Sequence, residues 1–226
     1  MNRRNFIIKA AAAVLAVSLG VQTAAFAAGP GDGLITIETG QTRYGTATPS
    51  ELPADSGIVR PAEKYSYNDM EQDIRRLQAE YGSRMTVNVI GTSADGRNLY
   101  EIVVGNVNSG KHVMIQAAIH GREYMTPLLV MKQLETALEQ YDTGSYGGVP
   151  YSSLFQQAAV HFLPMVNPDG VSISQFGLQG INSPQLRQTI EDAYAKDLEE
   201  GRTALSLERY LTYWKANGRG VDLNSN

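Results

Sequence analysis

Two periodicities alternate along this chain, and the points where they switch divide it into elements. In "SYNDMEQDIRRLQAEYG", Met70, Ile74, Leu77 and Tyr81 recur at helical spacing, with Ser66 or Asn68 as N-cap and Gly82 to cap the end. "MTVNVIGTS" alternates as a strand does, "ADGRN" is a turn, and "LYEIVVGN" is a second strand. "KHVMIQAAI" is almost wholly apolar, the pattern of a strand covered on both faces. Thr126 and Pro127 read as the N-cap and first position of a helix whose buried stripe is Leu128, Met131, Leu134, Leu138 and Tyr141. A loop ("YDTGSYGGVPYS"), a short helix ("SLFQQ") and another buried strand ("AAVHFLPMV") come next, the last ending at the turn "NPDG". Beyond Gly177 the pattern is mainly helical and polar. This alternation predicts an α/β fold, a three-layer α/β/α sandwich on a mixed, largely parallel central sheet.

The N-terminal stretch reads as an address. Arg3 and Arg4 precede an apolar run that ends in Ala25-Phe26-Ala27, so residues 1–27 are expected to be a secretory signal peptide, cut after Ala27 or Ala28. An uncleaved anchor is the alternative, but Ser, Gln and Thr dilute the run, and cleavage without stable membrane insertion is the preferred reading. The expected location is therefore outside a bacterial cell, secreted or associated with the wall. Residues 28–62, rich in Gly, Pro, Thr and Ser, read as a linker or pro-segment, and residues 63–226 as one domain.

Composition narrows the function classes. A formal charge of -4 with no Lys/Arg cluster argues against a nucleic-acid partner. The absence of cysteine excludes disulfides, thiolate zinc sites and a thiol nucleophile. No Gly-x-Ser-x-Gly elbow is present, which disfavours a serine hydrolase.

The chemistry with the clearest signal lies in "IQAAIHGREYMT", residues 115–126, where His120 and Glu123 come directly after an apolar strand. In α/β sheets, ligand-bearing residues sit at the carboxyl ends of strands. A catalytic zinc takes three protein ligands from His, Glu or Asp and keeps a position for water. The spacing alone is unremarkable, and a surface His beside a surface Glu is its competing explanation.

Three motifs in order change that weighing. "HGREYMT" (120–126), "PMVNPDG" (164–170) and "WKANGRGVDLNSN" (214–226) resemble segments of the zinc carboxypeptidases related to carboxypeptidase A. The likeness is greatest to the bacterial secreted branch with γ-D-glutamyl-diamino-acid peptidases. It implies zinc as cofactor, peptide or peptidoglycan-derived substrates, and metal-assisted amide hydrolysis. Carried over by position, His120 and Glu123 match two zinc ligands, Arg122 a substrate-contacting arginine, and Asn224 an asparagine that binds the substrate carboxylate. Lys215 stands where the animal enzymes place an oxyanion-stabilising arginine, and Trp214 reads as packing.

Two departures come with the same resemblance. Ser225 replaces the arginine that would hold a substrate carboxylate bidentately, so the charge-assisted pair is lost. The third ligand (a histidine), a tyrosine and the general-base glutamate are expected beyond Asn226, which makes this an incomplete member, inactive as written. His112 begins the strand that leads to His120, on the order of 26 Å away if extended, and His161 lies inside a strand as a core or sheet-face histidine; neither substitutes. A non-catalytic cell-wall binding module and an unrelated exported α/β protein are the alternatives.

Overall fold

The computed structural model describes residues 57–225. The signal peptide reading and nearly all of the linker reading lie outside the described residues. Residues 57–60 form no helix or strand, yet Val59 is fully buried, its N–H donating to Glu135 Oε1 at 3.1 Å. The packed core therefore begins before Tyr65.

Helix α1 (Tyr67–Tyr81) starts at Ser66, whose hydroxyl accepts from the Asp69 N–H while the Asp69 carboxylate accepts from the Ser66 N–H. This reciprocal capping box satisfies two donors that the first turn leaves open. Strands β1 (Met85–Thr92) and β2 (Asn98–Gly105) form an antiparallel hairpin with a bulge between Val89 and Gly91. Strand β3 (His112–Gln116) leads into α2 (Met125–Glu139). A two-residue hairpin, β4 (Ser145–Tyr146) and β5 (Val149–Pro150), turns at Gly147 and Gly148, both at positive φ as such a tight turn requires. Helix α3 (Tyr151–Gln157) and strand β6 (Ala159–Leu163) come next, then α4 (Pro168–Phe176), α5 (Pro184–Glu199) and α6 (Leu207–Thr212).

The main sheet has the order β1-β2-β6-β3. Strand β6 pairs antiparallel with β2 and parallel with β3, so the α/β, mixed-sheet expectation holds. Within it, antiparallel pairing predominates among the described residues, a correction to the largely parallel reading. One face carries Ile102, Val104, Val160 and Phe162, which pack with Met70, Ile74 and Leu77 of α1 and Met131, Leu134 and Leu138 of α2. Each such fully buried aliphatic contributes about 1.5–3 kcal/mol of transfer free energy. The other face bears Asn88, Glu101, His112, Met114 and His161, none of which joins an apolar cluster. The buried Val103, Ala159 and Leu163 lie on this side as well, but among the described residues no helix joins them in an apolar cluster. A second cluster, separate from the sheet core, holds Ile173, Ile181, Ile190, Leu211 and Trp214.

Two local readings need correcting. Thr126 does not cap α2: the helix begins at Met125 behind Tyr124, which makes no capping bond. The Thr126 hydroxyl instead accepts from the Ala118 N–H at 3.0 Å and donates to the Glu123 carbonyl at 2.8 Å. "NPDG" is no free turn but the start of α4, with Asn167 as N-cap and Pro168 in the first turn.

Candidate metal and substrate site

The chain leaves β3 at Gln116 and reaches His120 through a kink at Ala118, whose φ of 54° is left-handed. For a non-glycine residue that conformation costs roughly 1–2 kcal/mol, and the Ala118 N–H bond to Thr126 helps to hold it. The kink turns the next residues toward the carboxyl end of β6, where Val166 N–H donates to the Ala117 carbonyl at 3.0 Å.

Asn167 joins the three motif segments. Buried to 1% exposure, its side-chain amide lies 3.0 Å from the Ile119 carbonyl, 3.4 Å from that of Lys215 and 3.2 Å from that of Ala216, while its Oδ1 accepts from Gly170 N–H. Gly121 and Gly170 touch backbone to backbone: a Cβ on Gly121 would stand 2.3 Å from the Gly170 oxygen. Gly121 N–H also donates to the Lys215 carbonyl at 3.1 Å. Contacts this close need glycine on structural grounds.

A charged network braces the same corner. Asp169, buried, accepts from Ser93 Oγ (2.8 Å), Asp95 N–H (3.0 Å) and Arg97 Nη1 (2.7 Å). Arg97 also meets Asp95 Oδ2 at 2.8 Å and the Gly180 carbonyl at 2.6 Å, and Asp95 accepts from the Asn182 and Ser183 N–H groups. The β1–β2 turn is thereby fastened to α4 and to the segment before α5. Sequence reading gave these residues no role beyond a turn, and "ADGRN" carries no signal for a partner 72 residues away.

His120 and Glu123 are brought together as expected. His120 Nδ1 is 2.8 Å from Glu123 Oε1, and the His120 backbone N–H donates to Glu123 Oε2 at 3.3 Å. Burial alone would raise the Glu123 carboxyl, but hydrogen bonds from the His120 ring and backbone, with the charges of His120 and Arg122, outweigh it and hold the group below its ordinary value. Arg122 itself is exposed.

Asp222 was not singled out in the sequence, although it stands inside the third motif. Its Oδ1 is 3.3 Å from His120 Nε2, and its Oδ2 is 3.5 Å from Lys215 Nζ. Nε2 is buried and makes no hydrogen bond of normal geometry, so the Asp222 contact is one of charge and proximity. The Asn224 N–H, followed by the charges of Lys215 and His120, holds the Asp222 carboxyl low. Lys215 is 43% exposed at its side chain and turned toward Asp222. Asn224 is exposed, and its N–H donates to Asp222 Oδ1 at 2.9 Å. Trp214 packs, as read from the sequence: it is 5% exposed in the second cluster.

His120 thus has a carboxylate at each ring nitrogen. Carboxylates accept only, so a neutral imidazole with its single proton satisfies one and leaves a lone pair facing the other. A second ring proton resolves the conflict, and so does a cation beside Nδ1, which would leave the one proton on Nε2, toward Asp222. Neighbouring donors on a tetrahedral ion with bonds of about 2.1 Å stand roughly 3.4 Å apart, so the hydrogen-bonded pair, now at 2.8 Å, would open by about 0.6 Å to admit one. The set stops at two donors: among the described residues no group of three or more His, Asp or Glu could hold a metal ion. His112 and His161 lie on the polar face of the sheet, bonded to each other, and take no part.

Comparison with known proteins bears on the same segments. Gamma-D-glutamyl-L-diamino acid endopeptidase 1 of Lysinibacillus sphaericus is 28% identical over 168 residues, covering 74% of this chain and 38% of that protein. The uncharacterized protein YqgT of Bacillus subtilis is 25% identical over 177 residues, covering 78% and 43% respectively. Among solved structures, the carboxypeptidase A from Helicoverpa armigera aligns at 22% identity with a TM-score of 0.46, over 57% of this chain and 31% of that one. The chain spans about two-fifths of the length of the two curated relatives. Residues 70–226, more than half of the sequence, match the zinc carboxypeptidase family. This chain belongs to the zinc carboxypeptidase family.

Proposed function

We propose that His120 and Glu123 are two ligands of a zinc ion in a metallopeptidase site of carboxypeptidase type that hydrolyses peptide bonds. The observation that carries this is the convergence of His120 Nδ1 and Glu123 Oε1 to 2.8 Å, with Asp222 behind the ring. A carboxylate in that place fixes the imidazole tautomer and raises its basicity, as outer partners of metal-bound histidines do. When bound, zinc supplies Lewis acidity and a more acidic water. Arg122, exposed beside the pair, offers positive charge to a substrate carbonyl or carboxylate. Lys215 brings a point charge to the same edge, released to a developing oxyanion if it parts from Asp222. Asn224 offers an amide to the substrate carboxylate, and Ser225 beside it a hydroxyl without charge.

Peptides of the bacterial wall are the substrate class, a reading supported by the endopeptidase of Lysinibacillus sphaericus among the relatives and by the secretory pattern of residues 1–27. Among the described residues no helix is long and apolar enough to cross a membrane. The 226-residue chain by itself is proposed to bind zinc weakly and to lack turnover, because among the described residues neither a third ligand nor a general base stands at the pair. A peptide-binding role without cleavage is favoured by the same two-donor set.

Isothermal titration of the 226-residue chain with zinc, beside a peptidase assay on a γ-D-glutamyl-diamino-acid peptide, tests both parts. A weak zinc site that disappears in His120→Ala and in Glu123→Ala, without hydrolysis, is the expected result. A zinc isotherm identical in the parent and both variants would remove the ligand assignment, and turnover by the parent would remove the assignment of inactivity.

A further inference from the structure

The polar face of the sheet holds a second constellation of metal-binding side chains, apart from the corner at His120. His112 of β3, His161 of β6, Glu101 of β2 and Asn88 of β1 form a continuous line across all four strands. Asn88 Nδ2 donates to Glu101 Oε2 at 2.9 Å, and Glu101 Oε1 lies 2.8 Å from His161 Nδ1. An ionised carboxylate only accepts, so the His161 ring proton sits on Nδ1 and Nε2 is left as a bare lone pair. That lone pair faces Nδ1 of His112 at 2.8 Å, the two rings 5.1 Å apart and tilted by 38°.

We propose that His112 Nδ1 and His161 Nε2 form a two-imidazole site for a borderline transition-metal ion, copper(II) foremost, with Glu101 as the carboxylate that orients His161. The nitrogens now point at each other as in a hydrogen bond, rings 5.1 Å apart, so the spacing suits an ion once both rings turn their lone pairs toward one point beside that line. Cis ligands on a square-planar copper(II) ion with bonds of about 2.0 Å stand roughly 2.8 Å apart, the separation present between the two nitrogens. Carboxylate, imidazole and metal in series is the usual outer-shell arrangement for a metal-binding histidine. Without an ion the two rings share one hydrogen bond at the edge of the sheet, where His112 is exposed, and such a bond contributes little net stability. Imidazole donors select copper, nickel and zinc over magnesium and calcium. Met114, level with His161 in the strand register and 65% exposed, adds a soft thioether to the same face.

Copper(II) titration of the His120→Ala chain, in which the imidazole of the first pair is gone, followed by electron paramagnetic resonance tests the site. One copper per chain with splitting from two imidazole nitrogens is expected, held more tightly than nickel or zinc. His112→Gln and His161→Gln should each weaken copper binding at least tenfold, and Glu101→Gln about tenfold or more. His112 is exposed at a strand end, so His112→Gln keeps the parent's thermal transition and reads the site rather than the fold. Copper affinity unchanged in His112→Gln, or a spectrum showing a single nitrogen ligand that survives both histidine substitutions, would overturn the proposal. None of these readouts involves His120 or Glu123, so the outcome is independent of the function proposed above.

Discussion

Replacing Arg97 with methionine tests how far the site depends on the charged brace behind it. The guanidinium stands between two buried carboxylates, 2.7 Å from Asp169 and 2.8 Å from Asp95, and also holds the Gly180 carbonyl. Asp169 would keep Ser93 Oγ and the Asp95 N–H, and Asp95 would keep the N–H groups of Asn182 and Ser183. Two neighbouring anions would then share an enclosed corner with no cation between them. Breaking one side of a buried ion pair in this way costs about 3–5 kcal/mol. Domains of this size are stable by about 5–15 kcal/mol, so the loss is a large share of the total. It corresponds to a fall in Tm of roughly 6–20 °C. Urea denaturation and calorimetry of the parent, Arg97→Met, Asp169→Asn and the double variant form a cycle that isolates the coupling. The double variant should recover part of the loss, since the amide introduced by Asp169→Asn carries no charge. A single Arg97→Met variant within about 1 kcal/mol of the parent would refute the reasoning.

Three further outcomes concern the same corner and α1. Gly121→Ala drives a methyl onto the Gly170 backbone, which cannot rotate away, and should cost about 2–3 kcal/mol in urea denaturation while weakening zinc binding; an unchanged midpoint would count against the close approach. Asn167→Ala removes an amide from the carbonyls of Ile119, Lys215 and Ala216 and the cap from α4, an expected loss of about 2–4 kcal/mol, whereas a loss under about 1 kcal/mol would mean that water replaces it readily. Asp73, buried against Tyr65, has its carboxyl pushed up by burial, so the stability this imposes is present below its ordinary value of 3.8 and is lost as pH rises through the raised value. Asp73→Asn should therefore gain on the parent as pH rises from about 3 to about 7, and a difference that does not change with pH would contradict the shift.

Much of the fold was legible because local chemistry and tertiary packing agree. Ser66, Met70, Ile74 and Leu77 announce α1 by cap and period, and the structure uses each as expected. The strands were found for the same reason, since Ile102, Val104, Val160 and Phe162 alternate or run together as a buried face requires. Thr126 misled because its hydroxyl serves the kink at Ala118, a demand that no local pattern signals. "NPDG" misled in the opposite direction: Asn before Pro also makes an N-cap and first turn, and the apolar Val171 and Ile173 beyond Gly170 decide for the helix. The pairing of His120 with Glu123 was visible at three residues' spacing. Asp222 was not, because nothing in "GRGVDLN" states which distant ring it will face, and the Arg97–Asp169 contact was hidden by the same long-range closure.

The most direct measurement of the central claim tracks the imidazole nitrogens as zinc is added to the 226-residue chain. The sequence has three histidines, so each ring is resolvable by nitrogen NMR. Coordination at His120 Nδ1 with the ring proton moved to Nε2 predicts that this nitrogen shifts on zinc binding and that Glu123→Ala abolishes the shift. If His120 stays unmoved at zinc concentrations that perturb His112 or His161, the metal is held elsewhere and the assignment of His120 and Glu123 as ligands is wrong.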